Sequence, residues 1–341
     1  MRNKPIKIKV QSRFLPVLLS VFMVFCSVQL TGCSSNAVIK EQPFMTQGYY
    51  YAVYEGMTDK GAAFLACGTG GRLDRIFEDG TLENIPIPVA GKDLTKVLID
   101  QNTILVCGGS GAMAYCRIGE DFVTSKGTGN EHIMDLVQFN GKYYACTDSG
   151  KILTSADGMK WKTGVQLTNK PVIAVVANDA SIMAITGDTD IFSSTDGQNW
   201  DSRNYNKIYD GFAEKLSFRS LACIGDSFFV LGYPPENPDV PTVMFTYDDG
   251  ESWMNVVSTK INDEPPSVFY PLTVNALCSF GDVMLAACDR GRVLTFTECP
   301  SCNTVKEVSK ADLRCIAVSG NDVVFVAGDN FEFAVLTADD L

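Results

Sequence analysis

Seven short apolar runs recur along this chain, each ahead of a turn bearing Gly or Asp. They begin at Phe64, Ile104, Tyr143, Ile182, Phe228, Val283 and Val323, so successive starts lie 40, 39, 39, 46, 55 and 40 residues apart. The third repeat shows the pattern within one period. A strand is predicted over 135–139, then a turn at Asn140-Gly141, a strand over 142–147, a turn at Asp148-Ser149-Gly150, a strand over 151–154, and a fourth from Trp161. Short runs joined by such turns predict an antiparallel meander. A period near 40 residues with four strands per repeat predicts propeller blades. The expected fold is all-β, a seven-bladed β-propeller of four-stranded antiparallel blades.

The last repeat is short. Its first strand starts at Arg314, its second at Val323 and its third near Phe331, and the sequence stops at Leu341. An unclosed propeller would expose long sheet edges, so the missing outer strand is expected from the N-terminal side, near Ile39 to Tyr51. Outer strands run from the bottom face to the top. Closure by an N-terminal strand therefore places whatever precedes it beneath the bottom face.

What precedes it changes the picture of where the chain works. Residues 1–13 carry Arg2, Lys4, Lys7, Lys9 and Arg13 with no acid, and 14–30 is almost wholly apolar. At about seventeen residues the run is short for a membrane span. It leads into Leu30-Thr31-Gly32-Cys33, which resembles the bacterial lipobox. That resemblance implies cleavage before Cys33 and attachment of diacylglyceryl and acyl (palmitate) chains to it; the alternative is an uncleaved signal anchor. The domains expected are a lipoprotein signal peptide at 1–32, a lipidated N-terminus and short linker at 33–38, and the propeller at 39–341. Ser34 is not the Asp that retains lipoproteins at an inner membrane, so the expected location is extracytoplasmic, at an outer membrane or cell surface.

Loss of residues 1–32 removes five basic residues and no acid, taking the formal charge from −12 to −17. Such a chain is not drawn to nucleic acid or anionic lipid at long range. An anionic ligand needs a local basic patch.

Such a patch is expected on the top face. Insertions at 203–215, 233–241 and 258–271 lengthen loops there and carry Tyr205, Tyr209, Phe212, Tyr233, Phe269 and Tyr270 beside Pro234-Pro235. Aromatics on stiff loops offer contact area at low entropy cost, although they also serve to pack such loops down. The residue after the inner turn glycine is Arg72, Lys151 and Arg292 in three repeats. Counting nine residues back from the run starts marks the upper end of the innermost strand at Thr95, Met134, Ile173, Arg219, Val274 and Arg314. Arg219 and Arg314 share a register near the axis, and clustered guanidinium groups suit carboxylates. The other reading for each basic residue is a local ion pair, with Asp74, Asp289 or Asp312 as partners.

Catalytic signatures are sparse. The sole histidine, His132, would have to carry any serine-type triad alone, and no Gly-x-Ser-x-Gly, His-Glu-x-x-His or phosphate-loop motif occurs. Asp188-Thr-Asp190 is too short for an EF-hand. No metal or other cofactor is expected. Of twelve cysteines, Cys26 leaves with the signal and Cys33 carries lipid. Cys67, Cys107 and Cys146 share a strand slot filled elsewhere by Ile185, Leu231 and Val326, so they read as small core side chains. Two disulfides are expected, Cys107 with Cys116 across a hairpin and Cys299 with Cys302 as a turn staple.

Three segments share one pattern: Ser155-Ala-Asp157-Gly158-Met-Lys-Trp161, Ser194-Thr-Asp196-Gly197-Gln-Asn-Trp200 and Tyr247-Asp-Asp249-Gly250-Glu-Ser-Trp253. The Asp accepts N–H groups of its own turn, the Gly supplies a positive φ, and the Trp packs on the hairpin. The segments resemble the Asp-box (BNR, sialidase-type) repeat, which implies a propeller blade. Among families carrying it, the photosystem II assembly factors also share length, lipobox and seven repeats with this chain. Members of that group bind a membrane-protein partner; their resemblance implies the architecture and a scaffold-like role here, not that partner. A sialidase would need three convergent arginines and a Tyr–Glu pair, and its Arg-Ile-Pro signature is absent here; the nearest text is Asp74-Arg75-Ile76-Phe77. The function expected is a membrane-tethered, monomeric, non-catalytic propeller that binds a protein or peptide, or secondarily a glycan, on its top face, with no nucleic acid. The alternative is a cell-surface glycoside hydrolase.

Overall fold

Seven antiparallel sheets form a seven-bladed β-propeller. The structure, a computed structural model, describes residues 48–211, 213, 215–236, 241–257, 273–280, 283–296, 304–320, 323–337 and 340. In every sheet the strands follow chain order from innermost to outermost. The innermost strands are Tyr50–Thr58, Leu94–Asp100, Ile133–Phe139, Val172–Ala177, Ser217–Ile224, Val274–Phe280 and Leu313–Val318. In the third blade Lys142–Thr147, Lys151–Ser155 and Lys162–Gln166 follow, as the turn pattern predicts. One helical turn, α1 (Tyr205–Ile208), sits in the insertion between blades 4 and 5. Its first turn is capped by Asn204, whose side chain accepts from Lys207 N at 3.1 Å.

Alternating side chains of each blade meet those of the next, so the core is divided into seven inter-blade layers. One layer joins blade 1 to blade 2 through Leu65, Leu73, Val97 and Val106. Another joins blade 7 to blade 1 through Tyr50, Phe64, Cys315, Phe325 and Phe331. This last layer completes the circle. Phe64 stacks on Phe325 with ring centroids 5.2 Å apart, and Tyr50 meets Phe331 edge-on at 5.1 Å.

Blade 7 has three strands among the described residues, Leu313–Val318, Val324–Gly328 and Phe333–Leu336. Of the segment expected to close it, residues 39–47 lie outside the described residues. Tyr49 makes one antiparallel bridge with Asp329 of blade 7, and Tyr50 and Tyr51 open the first strand of blade 1.

The three acidic turns lie between third and outer strands. Asp157 Oδ1 accepts from Met159 N at 2.8 Å and Lys160 N at 2.9 Å, and Asp196 Oδ1 accepts from Gln198 N at 2.7 Å and Asn199 N at 2.8 Å. In blade 5 the closing acid is Asp248, not Asp249 as expected. Asp248 Oδ1 accepts from Ser252 N at 2.9 Å and from the Thr246 hydroxyl at 2.6 Å. The reason is the hydroxyl two residues upstream: Ser155, Ser194 and Thr246 hold equivalent positions, so the blade 5 turn is one residue longer. Asp249 instead accepts from Ser181 Oγ of blade 4 at 2.5 Å. Gly197 has φ +69°, and a Cβ there would stand 2.2 Å from the Tyr144 hydroxyl of blade 3. The turn glycine thus lets one blade's hairpin lie against the second strand of the blade before it. Trp161 is buried and its Nε1 donates to Gly158 O at 2.9 Å.

Eight cysteines fall among the described residues and all are free thiols. The expected Cys107–Cys116 disulfide does not form: Cys107 stands opposite Met113 and Cys116 opposite Ile104, three pairs apart on the hairpin. Cys33, Cys299 and Cys302 lie outside the described residues.

Two measurements test this account. Phe325→Ala, which opens a void in the closing layer, should cost about 3–5 kcal/mol in denaturant unfolding, against less than about 0.5 kcal/mol for an exposed substitution. The carboxyls of Asp157, Asp196 and Asp248 are all held below their usual value. Partial burial opposes the charge of Asp157, but the N–H groups of Lys160 and Met159 outweigh it; at Asp196 the N–H groups of Asn199 and Gln198 dominate. With folded pKa values below the unfolded ones, the unfolded chain takes up protons first. Stability is therefore full above about pH 4 and falls as pH drops toward the lower folded values. Acid titration of thermal stability should show that fall, and Asp157→Asn should flatten part of it.

Candidate functional site

Each innermost strand slips register by one residue near its start. Tyr50 faces Gly68 while Ala52 faces Cys67, which leaves Tyr51 outside the ladder, and the same slip isolates Thr95, Met134, Ile173, Arg219, Asn275 and Arg314. A bulge of this kind leaves one residue unpaired and re-aims its side chain. Seven bulges at equivalent places make a ring of seven side chains on the top face. Five of these positions match the register expected from sequence, and Tyr51 lies outside it, since nine residues before Phe64 is Glu55. In blade 6 the position is Asn275 rather than Val274, because Val283 lies next to the hairpin turn, opposite Phe280, whereas the blade 5 run starts one pair further on, with Phe228 opposite Cys223.

The bulge residues do two kinds of work. Thr95 Oγ1 donates to Ile133 O of the next blade at 2.7 Å, and Asn275 Nδ2 donates to Leu313 O of the next blade at 2.7 Å. These are latches between neighbours. Arg219 is exposed, with its guanidinium over the Tyr233 ring at 5.2 Å. Arg314 lies over the Tyr49 ring at 4.7 Å and its Nε donates to Asp329. Tyr49 and Tyr51, with ring centroids 6.0 Å apart, are both exposed. The seam between blades 7 and 1 therefore offers two open phenols beside one guanidinium, and blade 5 offers a second guanidinium.

Just below the ring, Lys96 of blade 2 pairs with Asp135 of blade 3 at 2.9 Å. Asp135 also accepts from Leu136 N at 2.8 Å and from Val175 N of blade 4 at 3.1 Å. Burial works against the charge of Lys96, but Asp135 outweighs it and the ammonium pKa is raised. One carboxylate thus ties three blades together at the axis.

Several residues expected to meet a ligand are spent on structure. Arg72 is buried; its Nε donates to the fully buried Asp74, which also accepts from Tyr50 OH, and its guanidinium lies 4.2 Å from the Phe331 ring centroid. It clamps blade 1 to blade 7. Lys151 pairs with Glu131. Arg292 is half-buried in the third strand of blade 6, opposite Glu307. Tyr233 is 2% exposed; its hydroxyl donates to Val274 O at 2.7 Å and accepts from Val274 N at 2.8 Å. Tyr209 packs on Tyr205 at 4.8 Å and its hydroxyl accepts from Trp253 N at 3.0 Å. Tyr270 lies outside the described residues. The sequence reading missed Tyr49 and Tyr51 as surface residues. The signal was the Tyr49-Tyr50-Tyr51 triplet, in which alternation buries only the middle ring.

No catalytic set is assembled from the residues expected to supply one. His132 Nε2 is buried without a hydrogen-bond partner, and its backbone N–H donates to Asp148 at 3.2 Å. Asp188 and Asp190 both bind Lys170, at 3.1 and 3.0 Å. Among the described residues no three His, Cys, Asp or Glu side chains are placed to hold a metal ion, and no helix is long and apolar enough to cross a membrane.

Seven antiparallel blades, six of four strands and one of three among the described residues, with a ring of bulges at one mouth define a β-propeller. The chain belongs to the DUF6242 beta propeller domain family, whose profile matches residues 91–286. No curated protein matches it. Among solved structures it is similar to YCF48 from Cyanidioschyzon merolae, at 14% identity and TM-score 0.64, over 88% of this chain and 98% of that one. A structure described as YCF48 bound to D1 peptide matches at 14% identity and TM-score 0.63, over 88% and 96%. The extracellular domain of BT4673 from B. thetaiotaomicron matches at 12% identity and TM-score 0.63, over 86% of this chain but 41% of that domain. At these identities the likeness is one of fold.

The division between clamp and open residues is testable. Arg72→Met leaves Asp74 as an uncompensated buried charge and should cost about 3–5 kcal/mol. Arg219→Ala should change stability by less than about 0.5 kcal/mol, both read by denaturant unfolding.

Proposed function

We propose that this protein is an extracytoplasmic lipoprotein, cleaved after residue 32 and tethered through Cys33 and the linker 33–38, whose propeller at 39–341 binds a protein or peptide without catalysis. The observation that carries this reading is Arg219, an exposed guanidinium held in place by the ring of Tyr233, which is itself pinned at both backbone atoms of Val274. A charged group oriented in advance loses little entropy on binding. With Arg314, Tyr49 and Tyr51 it gives the ring the donors and rings that suit carboxylates and extended backbone.

Three further points support it. In the three turns ending in Trp161, Trp200 and Trp253 an acid accepts N–H groups of its own turn, which supports the resemblance to the Asp box, a repeat that binding propellers carry. YCF48 has been described bound to a peptide, and a BT4673 region of the same fold is an extracellular domain. The sialidase form of the hydrolase alternative needs three converging arginines, and Arg72 is buried against Phe331 while Arg314 is paired with Asp329.

The test is a pull-down of the lipidated protein from its own membranes, for wild type and an Arg219→Ala/Arg314→Ala variant. A defined protein captured by wild type and lost from the variant is the expected result; equal capture by both would overturn the ring as the site. Cys33→Ser should abolish labelling by palmitate and move the protein to the soluble fraction.

A further inference from the structure

The face opposite the bulge ring carries a cleft of about 450 Å³ between the acidic turns of blades 4 and 5. That size lies within the roughly 300–1,000 Å³ in which proteins hold small ligands. One wall is the turn and outer strand of blade 4, with Thr195, Gln198, Trp200 and Asp201; the other is the turn of blade 5, with Asp248, Asp249 and Glu251. Arg203 spans the two walls. Its guanidinium donates to Glu251 Oε1 at 3.0 Å, to Asp249 O at 3.5 Å and to Ser193 Oγ at 3.4 Å.

Four carboxylates line the cleft, but three are already committed. Asp248 accepts from Ser252 and Thr246 within its own turn, Asp249 from Ser181, and Glu251 from Arg203. Among the described residues lining the cleft, the side chains left without a hydrogen-bond partner are the Thr195 hydroxyl, the Gln198 amide, the Asp201 carboxylate and the indole N–H of the half-buried Trp200. Donors and acceptors are mixed, one side chain is ionised, and an aromatic ring stands among them. An anion would meet Asp201 and Glu251, and a multivalent cation would find a single free carboxylate. A ligand dense in hydroxyls satisfies the set, because each hydroxyl donates to Asp201 or Thr195 and accepts from Gln198, while its C–H faces lie on the indole.

From this we infer that the cleft between the turns of blades 4 and 5 is a saccharide-binding site for neutral mono- or disaccharides, separate from the bulge ring. It does not depend on the ring being a peptide site. At the cleft the blades are bridged by the Arg203–Glu251 pair and by Ser181 Oγ donating to Asp249, at the outer edge of the apolar layer that holds Met183, Ile191 and Trp253, which leaves a polar concavity there.

The test is titration of the full mature protein with lactose, mannobiose and diacetylchitobiose as neutral probes and digalacturonic acid as an anionic one, followed by saturation-transfer NMR. Gln198 and Asp201 are exposed, so Gln198→Ala and Asp201→Ala should leave the thermal midpoint in place. Expected is binding of at least one neutral disaccharide, weakened about tenfold in either variant, as loss of roughly one hydrogen bond predicts, and unchanged in Arg219→Ala. No binding of any neutral probe, binding retained in both cleft variants, or preference for digalacturonic acid would overturn the assignment.

Discussion

A ring of sheets holds only if the last packs on the first as well as every other pair does. In this propeller the junction is made by Phe64 on Phe325, Tyr50 on Phe331, and Arg72 bonded to the buried Asp74 under the Phe331 ring. Every other inter-blade layer joins sheets already adjacent in sequence, so its loop-closure cost is small. The closing layer joins residues more than 250 positions apart, and its packing, with the Tyr49–Asp329 bridge and the Ser319 hydroxyl donating to Glu78 at 3.1 Å, must offset the entropy of that closure. Charge is admitted to the layer only as a fully engaged pair.

That demand separates residues that look alike in sequence. Arg72 and Arg219 are both arginines near a glycine turn or strand start, yet one seals the ring and the other faces solvent. What distinguishes them is a neighbour: Asp74 two residues on from Arg72 gives a buried partner, while Tyr233 offers Arg219 a ring face and no countercharge. Tyr233 begins a proline-rich loop and so reads as a surface aromatic in sequence, but it is the last residue of a buried strand. Its phenol pins the blade 6 start.

The architecture was legible because period and turn chemistry repeat, and seven copies of one pattern correct the noise in any one copy. The ring of bulges is nearly legible by counting, which fails at blade 1, where a longer first hairpin puts Glu55 rather than Tyr51 nine residues before Phe64, and at blade 6, where an extra apolar residue at the hairpin shifts the apparent start from Met284 to Val283. The acid of the blade 5 turn was misassigned by fixing on Asp-Gly rather than on the hydroxyl two residues before the acid. The cleft between blades 4 and 5 had no sequence signature, since its walls come from two turns about fifty residues apart, and only the inter-blade geometry sets them face to face.

Burial also governs the sulfur chemistry. Cys67, Cys107, Cys116, Cys146, Cys288 and Cys315 are buried, and burial pushes their thiols up, to about 12 at Cys107, Cys116 and Cys315. Oxidants and alkylating reagents attack the thiolate, which these side chains scarcely form while the blades are closed. In an oxidising compartment the chain would thus be shielded by its own packing rather than by cross-links. Each buried sulfur becomes a local recorder of blade opening, marked only when the layer around it comes apart.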